Sequence, residues 1–333
     1  MGNSDSKRIL LVAGSIHRIR MNTAAELIDG ALQKTGESLE VLVTRDTAEV
    51  EKALDRIEIA FGDIPFERIP QMPNLKWLQL WSAGADILQV IPELKALPFH
   101  LTTTSGIHGQ QIAEHTLAMI LTWARKMGRA FRNQGDHVWI RPKMREMSTL
   151  KGKVMLILGY GVIGEAVAQA ARAFGMKVTG LRRRAAEVSA DRLGVMVMPA
   201  ARLYEALGQA DYVVNILPHT PDTEHGIGKK EFAAMKPQAV YVSVGRGKTT
   251  CEPALVEALK AGRLAAALLD VTEQEPLPED SPLWNLENVL LTPHYAGFHE
   301  DYNALAMEIA LENLGRYFRG EPLRNLVDKG AGY

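Results

Sequence analysis

The sequence is short of cysteine, of aromatic residues, of charge imbalance and of long apolar runs, and each shortage removes a class of protein. Its one cysteine, Cys251, excludes an internal disulfide and any cysteine-rich metal centre, and suits a reducing compartment. No stretch approaches the ~18 unbroken apolar residues of a membrane span. The start, Met1 to Arg8, is polar and lacks the apolar centre of a signal peptide. The cytoplasm is the expected location, with no membrane contact. Met1, Gly2 and Ser6 fit the M-G-x-x-x-S acylation pattern, but so short a pattern arises often by chance and one acyl chain anchors weakly. Lys and Arg number 38 against 39 Asp and Glu, so no net field draws the chain to nucleic acid or anionic lipid. A small-molecule partner is the expectation that remains.

What is present is ordinary globular material. Apolar residues make up 47% and charged residues 23%, usage that excludes disorder, collagen-like repeats and a coiled coil. At ~150 residues per domain, 333 residues predict two domains. Short apolar runs at Arg8–Gly14, Leu39–Thr44, Ile57–Gly62, Lys76–Trp81 and Leu101–Thr104 read as buried strands of a first α/β lobe. Apolar residues at helical spacing predict one long helix over Gly106–Arg132, followed by a polar arm over Asn133–Leu150. A second series of runs follows, from Lys153–Gly159 to Val289–Leu291, mostly separated by helical segments. Leu305, Ile309, Leu314 and Phe318 predict a closing helix. The fold class is therefore α/β, with two doubly wound parallel-sheet lobes. A Rossmann domain over 104–299 is expected as an insertion into a flavodoxin-like substrate domain made of 1–103 and 300–333.

The sharpest motif is VMLILGYGVIGEAVAQAARAFG, where Gly159, Gly161 and Gly164 form G-x-G-x-x-G between a predicted strand and a predicted helix. The first glycine permits a tight turn and the second lets backbone approach a pyrophosphate. The third lets the helix pack on the strand, while the helix N-terminus favours the anion. The next strand ends at Arg182, Arg183 and Arg184, where an NAD site carries an acid for the ribose hydroxyl. An arginine cluster there suits a 2′-phosphate, which favours NADP(H) while leaving NAD(H) open. VGRGKTT resembles the end of a P-loop, but the required first glycine is Val242, so the match fails.

Ligands of open parallel sheets bind beyond the carboxyl ends of the strands. Arg246 follows AVYVSVG, Asp270 and Glu275 follow the apolar part of AAALLDV, and His294 follows VLLTP. A guanidinium, a carboxylate and an imidazole could thus converge, a workable dehydrogenase set. Among nine histidines His219, after NILP, is the competitor, whereas His108, His115 and His137 fall on the predicted helix and arm.

These residues sit in segments that resemble the D-isomer-specific 2-hydroxyacid dehydrogenases, a group that includes glyoxylate and hydroxypyruvate reductases. The likeness rests on SAGAD (Ser82–Asp86), TSGIHGQQIAEHTLAMIL (Thr104–Leu121), LGYGVIG (Leu158–Gly164), VGRG (Val244–Gly247), DVTEQEPLP (Asp270–Pro278) and TPHYAG (Thr292–Gly297). The resemblance implies that Arg246 binds the substrate carboxylate and keto oxygen, that Glu275 supports His294, and that His294 transfers the proton. It also implies that the backbone of Ser82, Ala83 and Gly84 holds the substrate carboxylate, and that Asp270 meets the nicotinamide carboxamide. The dinucleotide would lie along Gly159, Tyr160, Gly161, Val162, Ile163 and Gly164, beside Leu217, Pro218, Val244 and Gly245, and against His294 and Gly297. The helix and arm over about 107–150 would build a homodimer. Thr272, His219 and Cys251 depart from the residues common at those positions. NAD(P)H-dependent reduction of a small 2-keto acid is the expected activity. Corepressors of the C-terminal binding protein type share the fold and keep an interaction protein as the alternative.

Overall fold

The computed structural model describes residues 8–13, 21–62, 64–183 and 185–332. Arg184 and the acylation pattern at Met1, Gly2 and Ser6 lie outside the described residues. The chain divides into two compact units, Met1–Ile107 with His299–Tyr333, and His108–Phe298.

The first unit is built on a five-stranded parallel sheet. Its strands are β1 (Ile9–Ala13), β2 (Glu40–Thr44), β3 (Ile57–Gly62), β4 (Trp77–Gln79) and β5 (His100–Thr102), in the order β2-β1-β3-β4-β5. Every residue of β1 and β3 is buried, because helices cover both faces of a parallel sheet. These helices are α1 (Met21–Thr35), α2 (Thr47–Glu51), α3 (Ile87–Val90) and, from the other end of the chain, a long closing helix over Tyr302–Phe318. That closing helix returns Ala306, Met307, Ala310 and Leu314 to a core shared with Leu10, Val12, Ile28 and Leu32. Their spacing is that of one helical face.

The second unit starts with α4 (Gly109–Ala124) and α5 (Met127–Gly135) and continues through β6 (Val154–Leu158), α6 (Val162–Ala173), β7 (Lys177–Arg182), β8 (Ser189–Ala190), β9 (Met196–Pro199), α7 (Leu203–Leu207), β10 (Tyr212–Asn215), α8 (Lys229–Ala234), β11 (Ala239–Ser243), α9 (Glu252–Lys260), β12 (Leu264–Leu269) and β13 (Val289–Leu291). The closing helix of the first unit is α10. The sheet order β13-β12-β11-β10-β6-β7-β9-β8 reverses at β6 and β10, which is the switch point of a Rossmann sheet. Strand β8 alone runs antiparallel to its neighbour. Two exposed residues hold no apolar pattern by which sequence could announce it.

The long helix expected over Gly106–Arg132 is two helices. Helix α4 lays Ile112, Leu117 and Ile120 into the same core as Val167, Ala168 and Ala171 of α6. It ends at Ala124, and Lys126 takes φ +57 with its ammonium 3.8 Å from the centre of the Trp123 ring. A left-handed non-glycine residue costs about 1–2 kcal/mol, and the turn falls on Lys126 although the neighbouring Gly128 lies inside α5. Helix α5 buries none of its residues. Large apolar side chains stay exposed along it and beyond, among them Phe131, Trp139, Ile140 and Met144. Among the described residues no helix is long and apolar enough to cross a membrane.

Candidate active site

Strands β11, β12 and β13 are direct neighbours and all parallel. Their carboxyl ends therefore open side by side, and they carry Arg246, the Asp270–Glu275 loop and His294 respectively. Distance along the chain is cancelled by strand order.

The Arg246 loop is held on both sides by backbone. A Cβ on Gly245 would lie 2.7 Å from the Leu217 carbonyl oxygen, and one on Gly247 would lie 1.8 Å from the Thr272 carbonyl oxygen. Only glycine lets the chain pass between those two loops. Arg246 is extended (φ −131, ψ 130), its carbonyl accepts the Thr249 amide and hydroxyl, and its Nη1 donates to the Gly245 carbonyl at 2.9 Å. The guanidinium is partly buried.

His294 Nδ1 lies 2.6 Å from Glu275 Oε2, and the second oxygen, Oε1, accepts the Thr272 amide at 3.1 Å. This hydrogen bond raises the His294 pKa, outweighing burial, with Glu275 charge and Asp270 adding to it and Arg246 opposing it. Burial pushes the Glu275 carboxyl up, but the His294 hydrogen bond and charge, the Thr272 amide and Arg246 together hold it below the usual range. The His294 and Glu275 side chains stay 48% and 36% exposed, so their ion pair adds little stability. The arrangement can protonate or deprotonate an oxygen beside a cation that binds anions.

His294 adopts φ +52, a conformation that persists only where neighbours enforce it. Asp270, 3% exposed, does the enforcing. Its carbonyl accepts the His294 amide at 2.8 Å. Its carboxylate accepts the Thr292 hydroxyl at 2.6 Å and the amides of Tyr295 and Ala296 at 3.2 and 3.0 Å. Gly297 closes the turn, its carbonyl 3.4 Å from His108 Nδ1.

At the switch point, Gly159 takes φ +87, and a Cβ there would lie 3.0 Å from the Ile216 carbonyl oxygen at the end of β10. A Cβ on Gly164 would lie 3.3 Å from the Gly159 carbonyl oxygen, so the helix sits directly on the turn. Around Gly161 there is nothing within 4 Å of such a Cβ. This open space adjoins the free amides of the first turn of α6, beginning Val162 and Ile163, the cradle a pyrophosphate requires. Leu217 and Pro218 leave β10 next to it. The Leu217 amide is held by Asn215 at 3.1 Å, and the Val244 amide by the Asn215 carbonyl at 3.1 Å.

The family described as D-isomer specific 2-hydroxyacid dehydrogenase, NAD binding domain, matches residues 117–296. The chain belongs to this family. A glyoxylate reductase of Korarchaeum cryptofilum is 32% identical over 322 residues, 93% of this chain and 96% of that protein. The NADPH-dependent glyoxylate/hydroxypyruvate reductase of Sinorhizobium meliloti, solved in complex with NADP and sulfate, is 28% identical with a TM-score of 0.79, over 98% of this chain and 100% of that one. A dehydrogenase of the same family from Xanthobacter autotrophicus, in complex with NADPH and MES, is 30% identical with a TM-score of 0.79, over 97% and 99%. The protein is thus a 2-hydroxyacid dehydrogenase, an oxidoreductase acting on CH–OH donors with an NAD(P)-binding Rossmann domain.

In this dehydrogenase the basic run after β7 is more constrained than the sequence suggests. Arg182 Nε donates to the Tyr160 carbonyl at 2.8 Å and its Nη2 lies 3.7 Å from Glu165, while Arg183 is exposed. His219 lies 3.9 Å from Glu224 and belongs to a different loop from the Glu275 pair. In the first unit, Ser82, Ala83 and Gly84 form a partly exposed loop after β4. Its Ser82 hydroxyl donates to the Gly84 carbonyl at 2.8 Å, and the Trp81 carbonyl beside it accepts the hydroxyls of Thr104 and Tyr302.

His115 escaped sequence reasoning. It projects from α4 to place Nε2 2.9 Å from the Thr292 hydroxyl and 3.5 Å from Asp270, with its ring edge-on to Tyr295. Burial holds its imidazole below the ordinary value against the pull of Asp270. The Thr292 proton goes to Asp270, so His115 donates to Thr292 and braces the His294 turn from beneath. Its only advance signal was its membership in the TSGIHGQQIAEHTLAMIL segment.

Proposed function

We propose that this dehydrogenase reduces a small 2-keto acid of the glyoxylate or hydroxypyruvate kind to the D-2-hydroxy acid, with NADP(H) preferred over NAD(H). The observation that carries the reading is the 2.6 Å His294–Glu275 pair at the ends of adjacent strands, with Arg246 close enough to influence both charges. A bound reduced nicotinamide supplies hydride to the keto carbon. Protonated His294 gives its Nε2 proton to the keto oxygen, and Glu275 keeps that protonated form populated near neutral pH. Arg246 binds the substrate carboxylate and stabilises the charge that develops on the oxygen. Asp270 keeps the proton donor aimed through its hold on the 292–296 turn.

Arg182 and Arg183 support a 2′-phosphate by charge, and the relatives named above with NADP or NADPH bound support the same preference. The exposed apolar series Phe131, Trp139, Ile140 and Met144 supports a homodimer formed through α5 and the arm. Purified protein should oxidise NADPH faster than NADH with glyoxylate or hydroxypyruvate in a panel of 2-keto acids. Silence across the whole panel overturns the reading.

Glu275 gives a sign to the pH dependence. Its hydrogen bond raises the His294 pKa, so the proton donor survives to higher pH and reduction falls only as pH climbs through that raised value. In Glu275→Gln the raising charge is gone, and the alkaline limb of kcat/KM for reduction should move to lower pH. A limb that stays in place assigns it to another group.

A further inference from the structure

The dinucleotide-binding unit carries a basic group outside the run that ends β7. Arg192 stands on the turn between β8 and β9, its side chain 76% exposed, and donates to Glu165 Oε2 at 2.7 Å. The other oxygen of that carboxylate faces Arg182 Nη2 at 3.7 Å. One glutamate on the first turn of α6 thus joins two guanidiniums, one from the strand end and one from a turn that follows it.

The turn is rigid. Asp191 Oδ1 accepts the amides of Leu193 and Val195 at 2.9 and 2.8 Å, and the Asp191 carbonyl accepts the Gly194 amide. Asp191 Oδ2 accepts the Tyr160 hydroxyl at 2.6 Å. Tyr160 is the middle residue of Gly159-Tyr160-Gly161, 1% exposed, and its carbonyl is the acceptor for Arg182 Nε. Both arginines are therefore registered to the phosphate-binding loop through one residue, Arg182 by the Tyr160 carbonyl and Arg192 by the Tyr160 hydroxyl through Asp191.

We propose that Arg192 is a determinant of specificity for 2′-phosphorylated dinucleotides, sharing that phosphate with the arginines at the end of β7, and that Glu165 is the counter-ion the phosphate competes with. The proposal rests on the NADP(H) reading above. Arg182 has one donor committed to Tyr160, so it cannot present its whole fork to a dianion, and a second guanidinium makes good the loss. Glu165 keeps two like charges close together, and a phosphate dianion performs that task with more charge. A ribose hydroxyl is neutral and gains nothing comparable. The pair therefore separates NADP from NAD instead of tightening both.

The test is calorimetric titration of the full-length protein with 2′,5′-ADP and with 5′-AMP, without turnover. Wild type should bind 2′,5′-ADP more tightly. Arg192→Gln should weaken 2′,5′-ADP by about threefold to tenfold, the size of one partly exposed charged contact, with 5′-AMP moved less than about twofold. Glu165→Gln should tighten 2′,5′-ADP severalfold by removing the competing carboxylate. Equal weakening of both ligands in Arg192→Gln would reveal a structural role in the turn and overturn the proposal, as would full retention of the preference. Weaker 2′,5′-ADP binding in Glu165→Gln would reject the competing-ion role. A wild type that binds both ligands alike overturns the NADP(H) reading itself.

Discussion

His294→Asn should lower the turnover of 2-keto acid reduction by about 10² to 10⁴, the usual contribution of a positioned general acid, while cofactor still binds. Asparagine is the replacement that isolates the proton. Residue 294 sits at φ +52, and Asn tolerates the left-handed region better than most side chains. The Asp270 carbonyl and carboxylate grip backbone amides and Thr292 rather than the imidazole, so the turn keeps its fastenings. What leaves is the imidazole whose Nδ1 faces Glu275 and to which the proposed mechanism gives the transferable proton. Cofactor titration followed by protein fluorescence checks the seat separately. Turnover within tenfold of wild type would remove His294 from the reaction.

The elements, and the polar groups that stand at their ends, were legible in the sequence because buried parallel strands are continuous apolar runs that stop abruptly. AVYVSVG, AAALLDV and VLLTP run to within two residues of the ends of β11, β12 and β13, and Arg246, the Asp270–Glu275 loop and His294 stand at or just beyond those ends. Strand order was not legible, since apolar runs do not say which neighbours they pair with. That order is what turns three distant letters into one site. The break at Lys126 was hidden for a different reason: a lysine in the left-handed region is selected by its surroundings, here an indole face and the α4 carbonyls, and not by its own propensity. His115 was hidden because the apolar residues around it mark a core helix, and helical spacing cannot distinguish a histidine that faces a neighbouring loop from one that faces solvent. Arg182 shows the reverse error of emphasis. Its charge and position were plain, but its tie to the Tyr160 carbonyl comes from the glycine loop folding back toward β7.

Arg246→Ala should damage binding and rate together, with KM raised about tenfold and kcat lowered by about 10² to 10³, as when a preorganised donor to a developing oxyanion is lost. The double effect follows from one group serving two charges. The substrate carboxylate is anionic throughout, whereas the keto oxygen becomes anionic only as reduction proceeds. The scaffold should survive the change. Gly245 and Gly247 hold the loop between the Leu217 and Thr272 carbonyls by backbone fit, and the Arg246 carbonyl keeps its Thr249 bonds whatever side chain it bears. Thermal melting should therefore shift by only a few degrees, and a large fall would instead assign Arg246 to structure. Arg246→Lys separates charge from geometry: an ammonium restores attraction but offers no planar fork, so KM should recover further than kcat. Recovery of both to the same extent would mean that Arg246 acts by charge alone and does not grip the carboxylate and the reacting oxygen at once.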